Sequence, residues 1–172
     1  MRAGDPSRGT PGQARNPYDP RMVLAEFVPP GFEPPSRLVT DRFRLEPLGP
    51  QHNEADHAAW SSSIEHIRAT PGYQDRDWPP RDGMSLEANL ADLRGHAEDF
   101  TAGRGFTFTV LDPDDGSVIG CVYLYPPESG GDVSVRSWVR ADRAELDQPL
   151  ADAVADWITA EWPWQQLERF GR

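Results

Sequence analysis

The regular spacing of apolar residues is clearest between Val133 and Trp162. In VSVRSWV, Val133, Val135 and Val139 share one side and Ser134, Arg136 and Trp138 the other, the two-residue period of a strand. After a charged turn, Leu150, Val154, Trp157 and Ile158 recur at i, i+4, i+7 and i+8, the stripe of an amphipathic helix. Asp147 is placed to cap that helix, and Pro149 falls in its first turn, where a missing N–H costs nothing. Upstream, LVTDRFRLEPL (Leu38–Leu48) predicts a first strand with Val39, Phe43 and Leu45 mostly on one side. Asn53 caps a predicted helix that runs to Arg68 and turns Ala59, Trp60, Ile64 and Ile67 inward. The turn formers of ATPGYQDRDWPPRDG make residues 69–83 a loop. A second helix, Leu86 to Ala102, starts at the cap Ser85, carries Leu86, Leu90, Leu93, Ala97 and Phe100 on one stripe and stops at Gly103. Two strands, Phe106–Asp112 and Ser117–Tyr125, flank the hairpin turn PDDG, and QLERFGR supplies a last strand. The order is β–α–α–β–β–β–α–β, an α/β (α+β) domain.

The first 35 residues break this pattern. They hold 8 of the 18 prolines, and their charges balance. Low hydrophobicity with frequent Pro and Gly cannot repay the entropy of ordering, so residues 1–35 are read as a tail and 36–172 as the domain. Residues 1–21 are expected to be disordered, with a misassigned start codon as another origin for them. From Met22 the stretch MVLAEFVPPGFEPP is more apolar, and its Phe27 and Phe32 could dock on the domain as an extended arm.

Charge narrows the list of partners. The chain of 172 residues has a net charge of −11, and all 17 of its basic residues are Arg. An acidic surface argues against nucleic acid and against an anionic membrane as partners. One cysteine, Cys121, excludes an internal disulfide and fits a reducing cytoplasm, and neither a signal peptide nor a membrane span is expected.

Several residues are candidates for chemistry. A strand that delivers its end to a helix N-terminus often binds anions through free N–H groups and the helix dipole. Here the turn offers Arg140 and Arg143, set against Asp142, Glu145 and Asp147, and it contains no glycine. Arg136 and Ser134 lie on the strand, neither a competent base at neutral pH, and Arg136 is expected to pair with an acid across the sheet. The histidines, His52, His57, His66 and His96, lack metal-binding spacing and are expected at the surface. Cys121, among Val118, Ile119 and Val122, reads as an inert core thiol.

The element order, together with TDRFRLEPL (Thr40–Leu48), DPDDGSVIGCVYL (Asp112–Leu124) and VSVRSWVRADRAELDQPLADAVADWI (Val133–Ile158), resembles the GNAT-fold N-acetyltransferases. The resemblance covers residues 38–172. It implies a mixed, mainly antiparallel sheet flanked by helices, with acetyl-CoA held at the end of the central strand, here Val139, Arg140 and Arg143. It also makes the loop between the first two helices a wall of the acceptor pocket, where Tyr73, Asp75, Asp77 and Trp78, with Arg136 on the strand, would suit a small cationic amine.

The family grips pyrophosphate with an Arg or Gln followed by x-x-Gly-x-Gly or Ala. Laid on this chain from Arg143, the glycine positions become Leu146 and Gln148. Side chains there obstruct close approach of the backbone. Glu145 and Asp147 would each repel a phosphate by roughly 3–4 kcal/mol before screening. The family also continues through another helix and two strands, so this domain is expected to be C-terminally truncated. The expectation is a degenerate acetyl-CoA site, no cofactor, and a non-catalytic domain binding a small molecule or a protein. The alternative is an active N-acetyltransferase using acetyl-CoA. With QLERFGR as a free edge beside exposed Trp162 and Trp164, a weak homodimer is expected.

Overall fold

The computed structural model describes residues 27–171; the expectation for residues 1–21 lies outside them. Six strands form one sheet in chain order: β1 Leu38–Val39, β2 Arg44–Pro47, β3 Phe106–Leu111, β4 Val118–Tyr125, β5 Val133–Val139 and β6 Leu167–Arg169. Neighbours pair antiparallel except β5 and β6, which are parallel. Four helices flank the sheet: α1 Asn53–Ser61, α2 Ile64–Ala69, α3 Leu86–Ala102 and α4 Asp147–Glu161. The mixed, mainly antiparallel sheet with flanking helices agrees with the expected fold class.

Both faces of the sheet are covered. Phe106, Phe108 and Val110 of β3 point to the α4 side, where they meet Leu150, Val154, Trp157 and Ile158, each at most 3% exposed. The opposite face of the sheet packs Cys121 and Trp138 against Trp60, Ile67 and Leu93. Burial on two faces explains why β3 is buried along its whole length and carries threonines, not charged residues, between its apolar positions.

The long helix is placed as expected. Ser85 Oγ accepts from Ala88 N at 3.1 Å, and Gly103 closes the helix at φ 68°, a left-handed conformation that glycine adopts without strain. Three other boundaries differ from expectation. The single strand Leu38–Leu48 is a short hairpin, because Thr40 Oγ1 accepts from the backbone N–H groups of Arg42 and Phe43 and turns the chain. The helix from Asn53 to Arg68 is broken at Ser62 and Ser63: Ser62 Oγ donates to Ala59 O at 2.9 Å, and Ser63 Oγ accepts from Ala141 N at 2.9 Å. Serine hydroxyls compete with helical bonding, and those of Ser62 and Ser63 bond outside the helical ladder here. Asp147 does not cap α4; a 3₁₀ turn, Ala141–Leu146, leads straight into it, and Asp147 is its first helical residue.

Trp162 and Trp164 are not exposed. Each is 4% exposed; their rings stack at 4.8 Å, with Phe27 on Trp164 at 4.7 Å and Phe32 on Trp162 at 5.7 Å. Trp164 Nε1 also donates to Phe27 O at 2.8 Å. The apolar surface expected to form a dimer is therefore consumed within the chain. Among the described residues no helix is long and apolar enough to cross a membrane.

Candidate functional site

Val139 ends β5 fully buried, opposite Gly120, where the two backbones run so close that a Cβ on Gly120 would lie 2.1 Å from Trp138 O. The chain then enters the turn that the sequence marks as an anion site. Its cations are engaged. Arg140 Nε donates to Asp142 Oδ1 at 2.9 Å, a second nitrogen reaches Asp142 Oδ2 and a third Val118 O, while Arg143 donates to Asp112 Oδ2 at 2.8 Å. Several backbone donors are engaged as well: Ala141 N by Ser63 Oγ, Arg143 N by Arg140 O, and Asp147 N by Ala144 O. Leu146 is buried at the position expected for a glycine. The Asp114 backbone N–H, and after it Arg143, hold the Asp112 carboxyl below the usual range; Arg140 does the same for Asp142.

Beside this turn, β5 and β6 pair only from Val133↔Leu167 to Val135↔Arg169. The space between them, bounded by Pro71, Val135, Ser137, Ala151, Arg169 and Phe170, is a cavity of about 10 Å³. That is room for roughly one water. The ring of Phe170 packs against Gly72 and lies 5.1 Å beneath the Arg136 guanidinium.

A larger pocket of about 300 Å³ opens on the helix α1–α3 side of the sheet. Tyr73, Trp78, Tyr123 and Tyr125 form its walls, with Asp92 and His96 from α3 and Arg76 and Arg136 completing the lining. Trp78 is the hub of the wall, its ring 5.9 Å from Tyr73, 6.3 Å from Tyr123 and 6.0 Å from Trp138. Trp138 Nε1 donates to Tyr123 Oη at 3.2 Å. Of the residues assigned to substrate from the sequence, Tyr73, Trp78 and Arg136 meet in this pocket. Asp75 lines a neighbouring groove with Arg76, Glu128 and Phe170, and Asp77 is exposed on the loop outside the pocket. Arg136 does pair with an acid, Glu128, at 2.7 Å.

Asp92 and His96 were not legible as a pair, although they sit i,i+4 on α3. His96 Nδ1 lies 2.9 Å from Tyr125 Oη and 3.0 Å from Thr107 Oγ1, and Tyr125 Oη donates to Asp99 Oδ2 at 3.1 Å. A carboxylate can only accept, so the tyrosine proton points at Asp99 and His96 Nδ1–H donates to the tyrosine oxygen. Burial lowers the His96 pKa, while the Asp92 and Asp99 carboxylates pull it up, and Nε2 lies 3.7 Å from Asp92 Oδ2. With Nδ1–H committed to the tyrosine, a neutral ring offers Nε2 as an acceptor facing the Asp92 carboxylate.

One other histidine differs from expectation. His52 is buried, its Nδ1 accepting from Gly49 N at 3.1 Å and its Nε2 lying 2.9 Å from Glu46 Oε1. Cys121 is fully buried, and burial pushes its thiol well above the usual range. Among the described residues no group of three His, Cys, Asp or Glu is placed to hold a metal ion. Behind the pocket, Asp56 is 4% exposed and accepts from Asn89 Nδ2 at 3.1 Å; Asn89 Oδ1 in turn accepts from Trp60 Nε1 at 3.0 Å. Burial pushes the Asp56 carboxyl up to about 6.

The chain is similar to RimL, a ribosomal L7/L12 alpha-N-protein acetyltransferase, with TM-score 0.60 and 14% identity over 81% of this chain and 74% of that one. For the ribosomal-protein-S5-alanine acetyltransferase from Vibrio fischeri the values are 0.56 and 12% over 71% and 66%. For the microcin C7 self immunity acetyltransferase MccE they are 0.55 and 13% over 73% and 66%. The chain thus spans just under two thirds of the Vibrio fischeri protein. At these identities the likeness establishes the fold alone, and that fold is the GNAT fold. No family model and no curated protein matches the sequence.

Proposed function

We propose that this GNAT-fold domain binds a small primary or secondary amine and does not hold acetyl-CoA in the manner of the family. The carrying observation is an aromatic pocket lined by Asp92 and His96, whose Oδ2 and Nε2 stand 3.7 Å apart. An ammonium group carries the two N–H donors that both acceptors lack, and the rings of Trp78 and Tyr123 favour a cation nearby. A quaternary cation would satisfy the rings but not the acceptors.

The cofactor side supports the same reading. A pyrophosphate needs free N–H groups and uncommitted cations, whereas Arg140 and Arg143 are bound to Asp142 and Asp112. A cavity of about 10 Å³ between β5 and β6 does not fit a pantetheine arm. The residues present therefore do not fit acetyl-CoA. Calorimetry on the full chain is the test. Hexylamine should bind saturably and lose at least about tenfold in affinity on Asp92→Asn, while acetyl-CoA should give no saturable heat at micromolar concentrations. Saturable acetyl-CoA binding that disappears on Arg143→Glu would restore the acetyltransferase reading; failure of hexylamine to bind at millimolar concentration would end the amine reading.

A further inference from the structure

The amine pocket has a second pole. Opposite Asp92 and His96 it is lined by Arg76 and Arg136, and both donate to the same carboxylate oxygen, Glu128 Oε1. Two guanidinium groups thus share one carboxylate oxygen. Arg136 also has an unused donor. Its side chain is 16% exposed, and its Nε is buried without a hydrogen-bond partner. A buried donor left unpaired is costly, more so on a charged group, so its persistence beside a cavity points to a ligand acceptor. Phe170 beneath the guanidinium and Ser134 Oγ at 3.4 Å from one of its nitrogens hold the fork in place.

Sheet register gives the separation of the poles. His96 reaches Thr107 on β3 and Tyr125 on β4, whereas Arg136 stands on β5, directly across from Tyr123. The strand positions behind the two poles are therefore one to two strand spacings apart, roughly 5–10 Å. The aromatic walls of Trp78 and Tyr123 lie between them. An α-amino acid holds its charges on adjacent carbons and cannot bridge that gap. A chain of about four or five methylenes, each adding about 1.25 Å, does.

Resting on the amine reading above, we infer that the ligand is an extended zwitterion, an ω-amino acid whose ammonium meets Asp92 and His96 and whose carboxylate meets Arg136 and Arg76. The carboxylate is matched by the planar fork of arginine, which binds it through two parallel bonds. The apolar linker lies along the rings.

Calorimetry with ε-aminocaproate, hexylamine, hexanoate and glycine tests the inference on the full chain. ε-Aminocaproate should bind at least about tenfold more tightly than hexylamine, hexanoate or glycine. Arg136→Gln should reduce ε-aminocaproate to the affinity of hexylamine without weakening hexylamine. If that variant does not fold, Arg76→Gln, a loop substitution, carries the same comparison with a smaller loss. Equal affinity for ε-aminocaproate and hexylamine overturns the zwitterion and leaves the amine reading standing. Glycine binding as tightly as ε-aminocaproate refutes the spacing argument. Absence of binding by both amines overturns the amine reading as well.

Discussion

Replacing Asp56 with asparagine isolates the energetic consequence of one buried carboxyl. Asp56 lies in the first turn of α1, where the helix dipole favours a negative charge, yet burial outweighs that help and pushes its pKa from 3.8 to about 6. An acid whose folded pKa is raised stabilises the fold fully below about pH 4. That contribution is lost as pH rises through 6, because the unfolded chain ionises first. A shift of this size costs roughly 3 kcal/mol at pH 8. An asparagine keeps an oxygen for Asn89 Nδ2, so Asp56→Asn should retain that bond and remove the cost. The variant should be more stable than the wild type by roughly 1–3 kcal/mol at pH 8, a rise in Tm of up to roughly 10 °C, and equal to it at pH 4. The assay is urea unfolding followed by tryptophan emission at several pH values. Below pH 4 both proteins lose stability as Asp112, Asp132 and Glu168, all held below the usual carboxylate range by hydrogen bonds, become protonated, so the difference between the two is the quantity to read. A difference independent of pH, or a variant less stable at pH 8, would refute the reasoning.

Two further outcomes follow from packing. Phe27→Ala removes a ring from the Trp162–Trp164 stack and should cost about 3 kcal/mol, with a red shift in tryptophan emission as Trp164 meets water; an unchanged midpoint would show that the contact contributes nothing. Gly120→Ala would drive a Cβ into the backbone of β5, so the protein should fail to accumulate as a folded species, and native-like near-UV circular dichroism from this variant would contradict it.

The long-range design of the chain was legible where one signal governs one element. Ser85 and Gly103 bracket α3 because a hydroxyl cap and a left-handed stop are local, and the α4 stripe reads correctly because that helix buries one face. The strand β5 was visible by alternation even though Ser134, Ser137 and Trp138 are buried as well. Local competition defeated the reading elsewhere. Serine hydroxyls at 62 and 63 bond outside the helical ladder, and one of them is claimed by a backbone N–H 78 residues away. For the site, Tyr73 and Trp78 could be named from the loop, since aromatic residues amid turn formers stand out. Asp92 and His96 could not, because their meaning depends on Tyr125 and Thr107, which no spacing along the chain connects to α3. The burial of Trp162 and Trp164 was hidden for the same reason: their cover comes from Phe27 and Phe32, at the other end of the sequence.

The bond between Trp164 Nε1 and Phe27 O joins positions 137 residues apart. The entropy of closing so long a loop rises only slowly with length, but it must be met before the contact returns anything. During synthesis the aromatic stack is incomplete until Trp164 has left the ribosome, so Phe27 and the face of Phe106 wait uncovered while the sheet assembles between them. The arm is thus a late clasp. It makes the aromatic stack depend on residues from both flanks of the sheet, so neither flank is covered without the other.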